Sequence, residues 1–156
     1  MKYALAIALL IAGAISPGGC PHLDLPASGP IIRDFAPVGS YGGHWGIDIA
    51  APQGTAVAAA EQGVVTFAGE VAGVLSVTVH HGGGLRTSYS YLRDIIVLRG
   101  QRVTRGEQVG SSGLDHELAA IHFSVRVGDI YQDPTFWLGC FLAPQPGLSL
   151  VPNPGA

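Results

Sequence analysis

The chain has 156 residues, enough for one domain with appendages but not for two. Its 8 Lys plus Arg stand against 11 Asp plus Glu for a net charge of −3, and the basic residues are scattered, so the footprint of a nucleic-acid-binding protein is missing. With 23 Gly, 11 Pro and β-branched runs between them, the composition predicts a mostly β protein of short antiparallel strands joined by tight turns.

In chain order, Met1-Lys2 and the apolar stretch from Tyr3 to Ile15 have the shape of a secretory signal: a charged start, an apolar centre, then small residues. The run stops at Ser16-Pro17, short of the about 20 apolar residues a membrane span needs, so no transmembrane span is expected in the mature form. Gly18-Gly19-Cys20 resembles the end of a bacterial lipoprotein signal, although Pro17 stands where such signals usually have Leu. Two outcomes stay open: Cys20 becomes a lipidated N-terminus, or cleavage between Ala14 and Gly19 leaves Cys20 to pair with Cys140 in an oxidising exterior. Residues 1–20 are read as signal, 21–30 as a linker, 31–140 as the folded domain and 141–156 as a Pro-rich disordered tail.

Inside the domain, Ile31 to Phe35 is an apolar strand candidate and Pro37 to Gly43 a loop. Then comes His44-Trp45-Gly46-Ile47-Asp48, an imidazole and a carboxylate four positions apart. In extended chain, residues at i and i+4 project to the same side, which suits a pair of metal ligands. The surrounding glycines and Pro52-Gln53-Gly54 favour strand over helix. A His hydrogen-bonded to a nearby Asp is the plainer reading of that spacing alone. Gly63 to Gly69 and Val74 to His80 read as strands, the second alternating apolar Leu75, Val77 and Val79 with polar neighbours. Gly82-Gly83-Gly84 is a turn, and Leu85 to Leu92 returns as the next strand of an antiparallel hairpin. Gly100 to Gly110 reads as a tight loop across the end of a barrel or sandwich. On the last strand Ile121, Phe123 and Val125 face the core, leaving His122, Ser124 and Arg126 on the other side.

Several ordered blocks carry a family resemblance: Gly46-Ile47-Asp48-Ile49-Ala50-Ala51-Pro52-Gln53-Gly54-Thr55, Ala60-Glu61-Gln62-Gly63-Val64-Val65, His81 to Leu92, Arg99 to Gly110, Ile121-His122-Phe123-Ser124-Val125-Arg126 and Asp133-Pro134. They resemble the lysostaphin-like (LytM-type) zinc metallo-endopeptidases, which cut the peptide cross-links of bacterial cell walls, and the likeness spans roughly residues 30 to 138. It implies a β-sandwich of lysostaphin-like type, a zinc ion on His44, Asp48 and His122, peptidoglycan peptide as the partner, and a secreted or cell-envelope location. Two imidazoles and one carboxylate with a fourth position for water form the catalytic rather than the structural zinc pattern.

The resemblance also exposes what is missing. The family's two further histidines serve proton transfer and oxyanion stabilisation, and at their positions this chain has Ala120 and Tyr91. A phenol at Tyr91 retains a donor; the methyl of Ala120 does not. His116 or Glu117, on the segment leading to His122, are candidate substitutes, against the simpler reading of a flexible, solvated loop. His80 and His81 read as surface residues. The implied function is therefore either a weak wall-peptide endopeptidase or a degenerate module that binds wall peptides or regulates another wall hydrolase.

Overall fold

The computed structural model describes residues 23–40 and 42–138. The segment read as a signal, Cys20, Cys140 and the segment read as a Pro-rich tail lie outside the described residues. The elements are β1 (Ile31–Arg33), β2 (Ala36–Val38), β3 (Gly42–His44), β4 (Ile47–Ala50), β5 (Ala56–Ala58), β6 (Gly63–Val71), β7 (Val74–Gly82), β8 (Leu85–Ile95), β9 (Arg102–Val103), β10 (Gln108–Ser112), β11 (Ala120–Val127), β12 (Ile130–Gln132) and a short helix α1 (Pro134–Leu138). The main sheet runs β1-β4-β11-β8-β7-β6-β9, with β12 beside β11 and the β5–β10 pair joined through β8; every pairing is antiparallel.

The β6–β7–β8 meander follows from its turns and its alternation. Ala72-Gly73 and Gly83-Gly84 hold positive φ at both central residues, as the two-residue turns that match strand twist require. Val77, Val79 and Tyr89 face inward at 0% exposure and meet Ile47, Ile49, Ile121, Phe123 and Val125 from β4 and β11. Beneath this layer runs a buried polar chain. The Ala60 amide donates to the Tyr89 hydroxyl (2.8 Å), which lies 2.8 Å from Thr87 Oγ1, itself 2.8 Å from His81 Nε2; His81 Nδ1 lies 2.8 Å from the Gln62 carbonyl. All of these bonds are satisfied when His81 is neutral, with Nδ1 donating to Gln62 and Nε2 accepting from Thr87. Burial pushes the Tyr89 phenol up to about 12 and holds His81 below its usual range. His81 is thus a half-buried structural residue, not the free surface histidine expected.

Two other expectations are corrected. The stretch read as linker packs onto the core from Leu23 onward: Leu23 is buried, its amide donates to the Trp137 carbonyl, and Asp24 N donates to Ala60 O. The stretch from Pro37 to Gly43, read as a loop, lies within the β2–β3 hairpin, which pairs Ala36 with His44 and Val38 with Gly42. All of β2 is exposed, so it carries no hydrophobic pattern to read.

β8 turns the corner between the two parts of the sheet. Its residues up to Ser90 pair with β11, and from Leu92 onward they pair with β10. Tyr91 is the pivot: β7 pairs Ser76 with Ser90 and Leu75 with Leu92, skipping Tyr91, whose φ is 62°. A bulge of this kind re-aims a side chain, and here it turns the phenol towards His44 and His122.

Candidate metal centre

His44 ends β3 and Asp48 sits in β4, so the two do not share one extended strand as the spacing suggested. Four residues of extended chain would separate them by about 13 Å. Instead the chain bends at Trp45-Gly46, and His44 Nε2 comes to 2.9 Å from Asp48 Oδ1. The bend presses Gly46 against β11: a Cβ there would lie 2.5 Å from the Phe123 carbonyl oxygen and 2.6 Å from His122 Nε2. Strand β11, paired to β4 with His122 opposite Asp48, brings His122 Nδ1 to 2.8 Å from Asp48 Oδ1 and 3.0 Å from His44 Nε2.

This triangle fits a metal by the chemistry of its donors. His44 Nδ1 is 2.7 Å from the Asp34 carbonyl, an acceptor, so a neutral His44 carries its proton there and presents a bare Nε2 lone pair to the carboxylate. In that neutral state two acceptors face each other, and a metal cation between them would satisfy both. At zinc–ligand distances of about 2.0–2.1 Å, tetrahedral ligand atoms stand about 3.3 Å apart, a few tenths of an ångström wider than the triangle. Asp48 is 4% exposed. Burial pushes its carboxyl up, but the His122 hydrogen bond and the His44 and His122 charges outweigh that and hold it below the usual range. The Arg33 guanidinium lies 3.9 Å from Asp48 Oδ2 on the exposed side.

His44 and His122 open on a cavity of about 330 Å³ that Arg33, Tyr91, Asp115 and His116 also line, while Asp48 is buried and not part of the lining. Burial, with the Asp115 and Asp48 carboxylates, pushes the Tyr91 phenol up, so its hydroxyl remains a donor at neutral pH. Its oxygen is 3.0 Å from His116 Nε2. The segment expected to be a flexible loop is a closed two-residue turn: Asp115 and Leu118 exchange backbone hydrogen bonds of 2.8 Å, with His116 and Glu117 at φ 45° and 72°. The turn brings the exposed His116 to Tyr91 and leaves Glu117 exposed and outside the cavity lining. Ala120, fully buried, puts only a methyl group on the β11 face that carries His122.

Sequence reasoning missed Asp115 as a site residue. It is 5% exposed and lines the same cavity; burial and the neighbouring Asp48 carboxylate push its carboxyl up. Its only sequence signal is its place immediately before the turn pair His116-Glu117, and that says nothing about which way the carboxylate faces.

An antiparallel β fold with a His/Asp/His triangle at the floor of an open cleft defines a metallopeptidase-like domain. The chain belongs to peptidase family M23, whose family model matches residues 42–134. It is 36% identical over 119 residues to the lipoprotein NlpD/LppB homolog of Pseudomonas aeruginosa, covering 72% of this chain and 38% of that protein. Among solved structures it resembles a Pseudomonas aeruginosa protein assigned to peptidase M23, with 31% identity, a TM-score of 0.66, and coverage of 80% of this chain and 53% of that one. A zinc-containing peptidase from Vibrio cholerae matches with 27% identity and a TM-score of 0.61, over 72% of this chain and 38% of that one. The lysostaphin-like fold expected from the sequence is the fold found. The chain spans less than half the length of the curated relatives it matches. No helix among the described residues is long and apolar enough to cross a membrane.

Proposed function

We propose that this is an exported zinc protein of the bacterial cell envelope that engages peptidoglycan peptide and hydrolyses it weakly. The observation that carries the reading is the convergence of three donor atoms, His44 Nε2, Asp48 Oδ1 and His122 Nδ1, within 3.0 Å of one another. Zinc bound there would supply Lewis-acid polarisation of a carbonyl and a water of lowered pKa. The chain's own residues do the rest. The Asp34 carbonyl orients His44, and the Tyr91 hydroxyl donates a hydrogen bond to the oxygen that gains charge as the peptide bond is attacked. Beside His122 a groove of about 630 Å³ runs over β7, β8 and β11, where Ser76 bonds Ser90 and Thr78 bonds Ser88 at 2.9 Å each. Its hydroxyls can donate to and accept from the backbone of an extended peptide, and Arg86 and Arg126 line the same groove, suited to a carboxylate.

Weak turnover follows from Ala120. General acid–base catalysis is worth about 10² to 10⁴ in rate, and a methyl group offers none of it. The same observation favours a second reading, a wall-peptide-binding module or a regulator of another wall hydrolase. The relatives named as lipoproteins support the envelope location, with Cys20 as the candidate lipid anchor.

Metal analysis with zymography on purified wall material, with and without chelator, tests the reading. About one zinc per chain and faint, chelator-sensitive clearing are expected. Zinc with no clearing selects the binding module, and protein purified without metal that binds none on addition overturns both.

A further inference from the structure

We propose that the groove beside the metal centre selects its peptide by a free carboxylate, which Arg126 receives at the end of the groove away from His122. The inference deepens the wall-peptide reading above and rests on it. The outer face of the sheet is built in cross-strand rows, and residues directly opposite one another point to the same side. His122, Ser90 and Ser76 form one row across β11, β8 and β7, and Ser124, Ser88 and Thr78 form the next. The third row holds Arg126, Arg86 and His80, and through Val64 on β6 it reaches Arg102 on β9. Three of the chain's 8 basic residues thus fall in one row, in a chain of net charge −3. They lie far apart in sequence, and only the strand register brings them together.

Like charges directly opposite each other in a sheet are destabilising, so the Arg126–Arg86 pair is held at a cost that an anion between them removes. The protein supplies none at Arg126. Arg86 donates to Asp129 Oδ1 at 2.9 Å and to the Gly128 carbonyl, and the Asp129 side chain is fully exposed. Among the described residues neither Arg126 nor Arg102 forms an ion pair. The Arg126 guanidinium instead lies over the ring of Tyr131, its cross-strand neighbour on β12, 5.2 Å from the centroid. Stacking fixes the plane of the fork and leaves its N–H edge for a bidentate acceptor, the geometry that suits a carboxylate. The groove that Arg126, Arg86 and Tyr131 line also reaches His122, so its occupant is the molecule presented to the metal. From His122 to Arg126 along β11 is about 13 Å, which about four residues of extended peptide span. The carboxylate therefore belongs to a residue about that far from the bond held at the metal.

The test is fluorescence anisotropy with soluble stem peptides released from purified wall and labelled at the amino terminus. They are used with their carboxyls free and after carbodiimide coupling of those carboxyls to ammonia, and are titrated with native protein, Arg126→Gln and Arg99→Gln. Arg99 is exposed, lies between β8 and β9 and is off the row. Amidation is expected to weaken binding to native protein by about 10-fold or more, the scale of a lost hydrogen bond to a charged group. Arg126→Gln should lose a similar factor for the free-carboxyl peptides and nothing for the amidated ones, which also shows that the variant is folded; Arg99→Gln should match native protein. Equal native affinity for the two forms overturns the carboxylate selection and leaves the wall-peptide reading intact. A loss on amidation that Arg126→Gln does not reproduce assigns the carboxylate to another group, the metal included, and overturns the role of Arg126. Binding of native protein to phosphatidylglycerol vesicles that Arg126→Gln loses, with no difference between the peptides, gives the row to a lipid phosphate and overturns the peptide occupant. Native protein that binds neither peptide form overturns the wall-peptide reading, and this inference with it.

Discussion

Replacing Gly46 with alanine tests how the site is assembled. The added Cβ would lie 2.5 Å from the Phe123 carbonyl oxygen and 2.6 and 2.7 Å from Nε2 and Cε1 of His122. The imidazole can swing away, but the carbonyl belongs to β11, which pairs Phe123 with Ile47 and His122 with Asp48. Relief therefore requires β4 to move from β11 or His122 to leave the triangle. Overpacking of this kind costs about 1–3 kcal/mol, which for a domain of about 100 residues lowers Tm by at least about 4 °C. The control is Gly106→Ala, at φ 78° with nothing within 4 Å of the added methyl, where only left-handed backbone strain of about 1–2 kcal/mol applies. The two variants are similar in stability and differ at the metal. Gly46→Ala should weaken zinc binding by about 10-fold or more, as loss of a ligand-positioning contact does, and Gly106→Ala should leave it alone. Equal zinc affinities in the two variants by chelator competition would refute the argument that the Gly46 bend sets the donor triangle.

His44→Ala, Asp48→Ala and His122→Ala should each lose zinc by elemental analysis; full occupancy in all three removes the site. Tyr91→Phe should reduce any chelator-sensitive wall hydrolysis by about 10² through loss of the donor hydroxyl, with zinc content unchanged, whereas an unaltered rate denies Tyr91 a role in turnover. His81 makes stability depend on pH. Its pKa is held below 6.5 in the fold, so the unfolded chain binds more protons just below pH 6.5, and stability falls as pH drops from 6.5 to the depressed folded value. Denaturant unfolding at a series of pH values should show part of that loss disappearing in His81→Gln, whose amide can keep one donor and one acceptor; identical pH profiles for the two proteins would exclude His81 as its source. Tyr89→Phe leaves the Ala60 amide without an acceptor and should cost about 1–3 kcal/mol in the same assay.

What was legible in the sequence is what repeats along a strand. The alternation of Leu75, Val77 and Val79, and of Ile121, Phe123 and Val125, marks β7 and β11 because each buries one face. The β2–β3 hairpin buries little, and the packing of Leu23 is hidden in a short Pro-containing stretch. The donors His44, Asp48 and His122 were legible as residue types, but the reason given for their meeting was wrong. An extended strand would hold the first two far apart, and the bend that joins them depends on the approach of Gly46 to β11, a contact between segments distant in sequence. Asp115 was illegible for a related reason: its carboxylate matters only because a tight turn buries it beside Asp48. The chain's departures from the family therefore meet at one place. Tyr91 stands at the corner of β8, Ala120 begins β11, and the turn carrying Asp115 and His116 joins β10 to that strand. The Tyr91 hydroxyl lies 3.0 Å from His116 Nε2, Asp115 and His116 line the cavity with His44 and His122, and Ala120 puts a buried methyl group on the His122 face of β11.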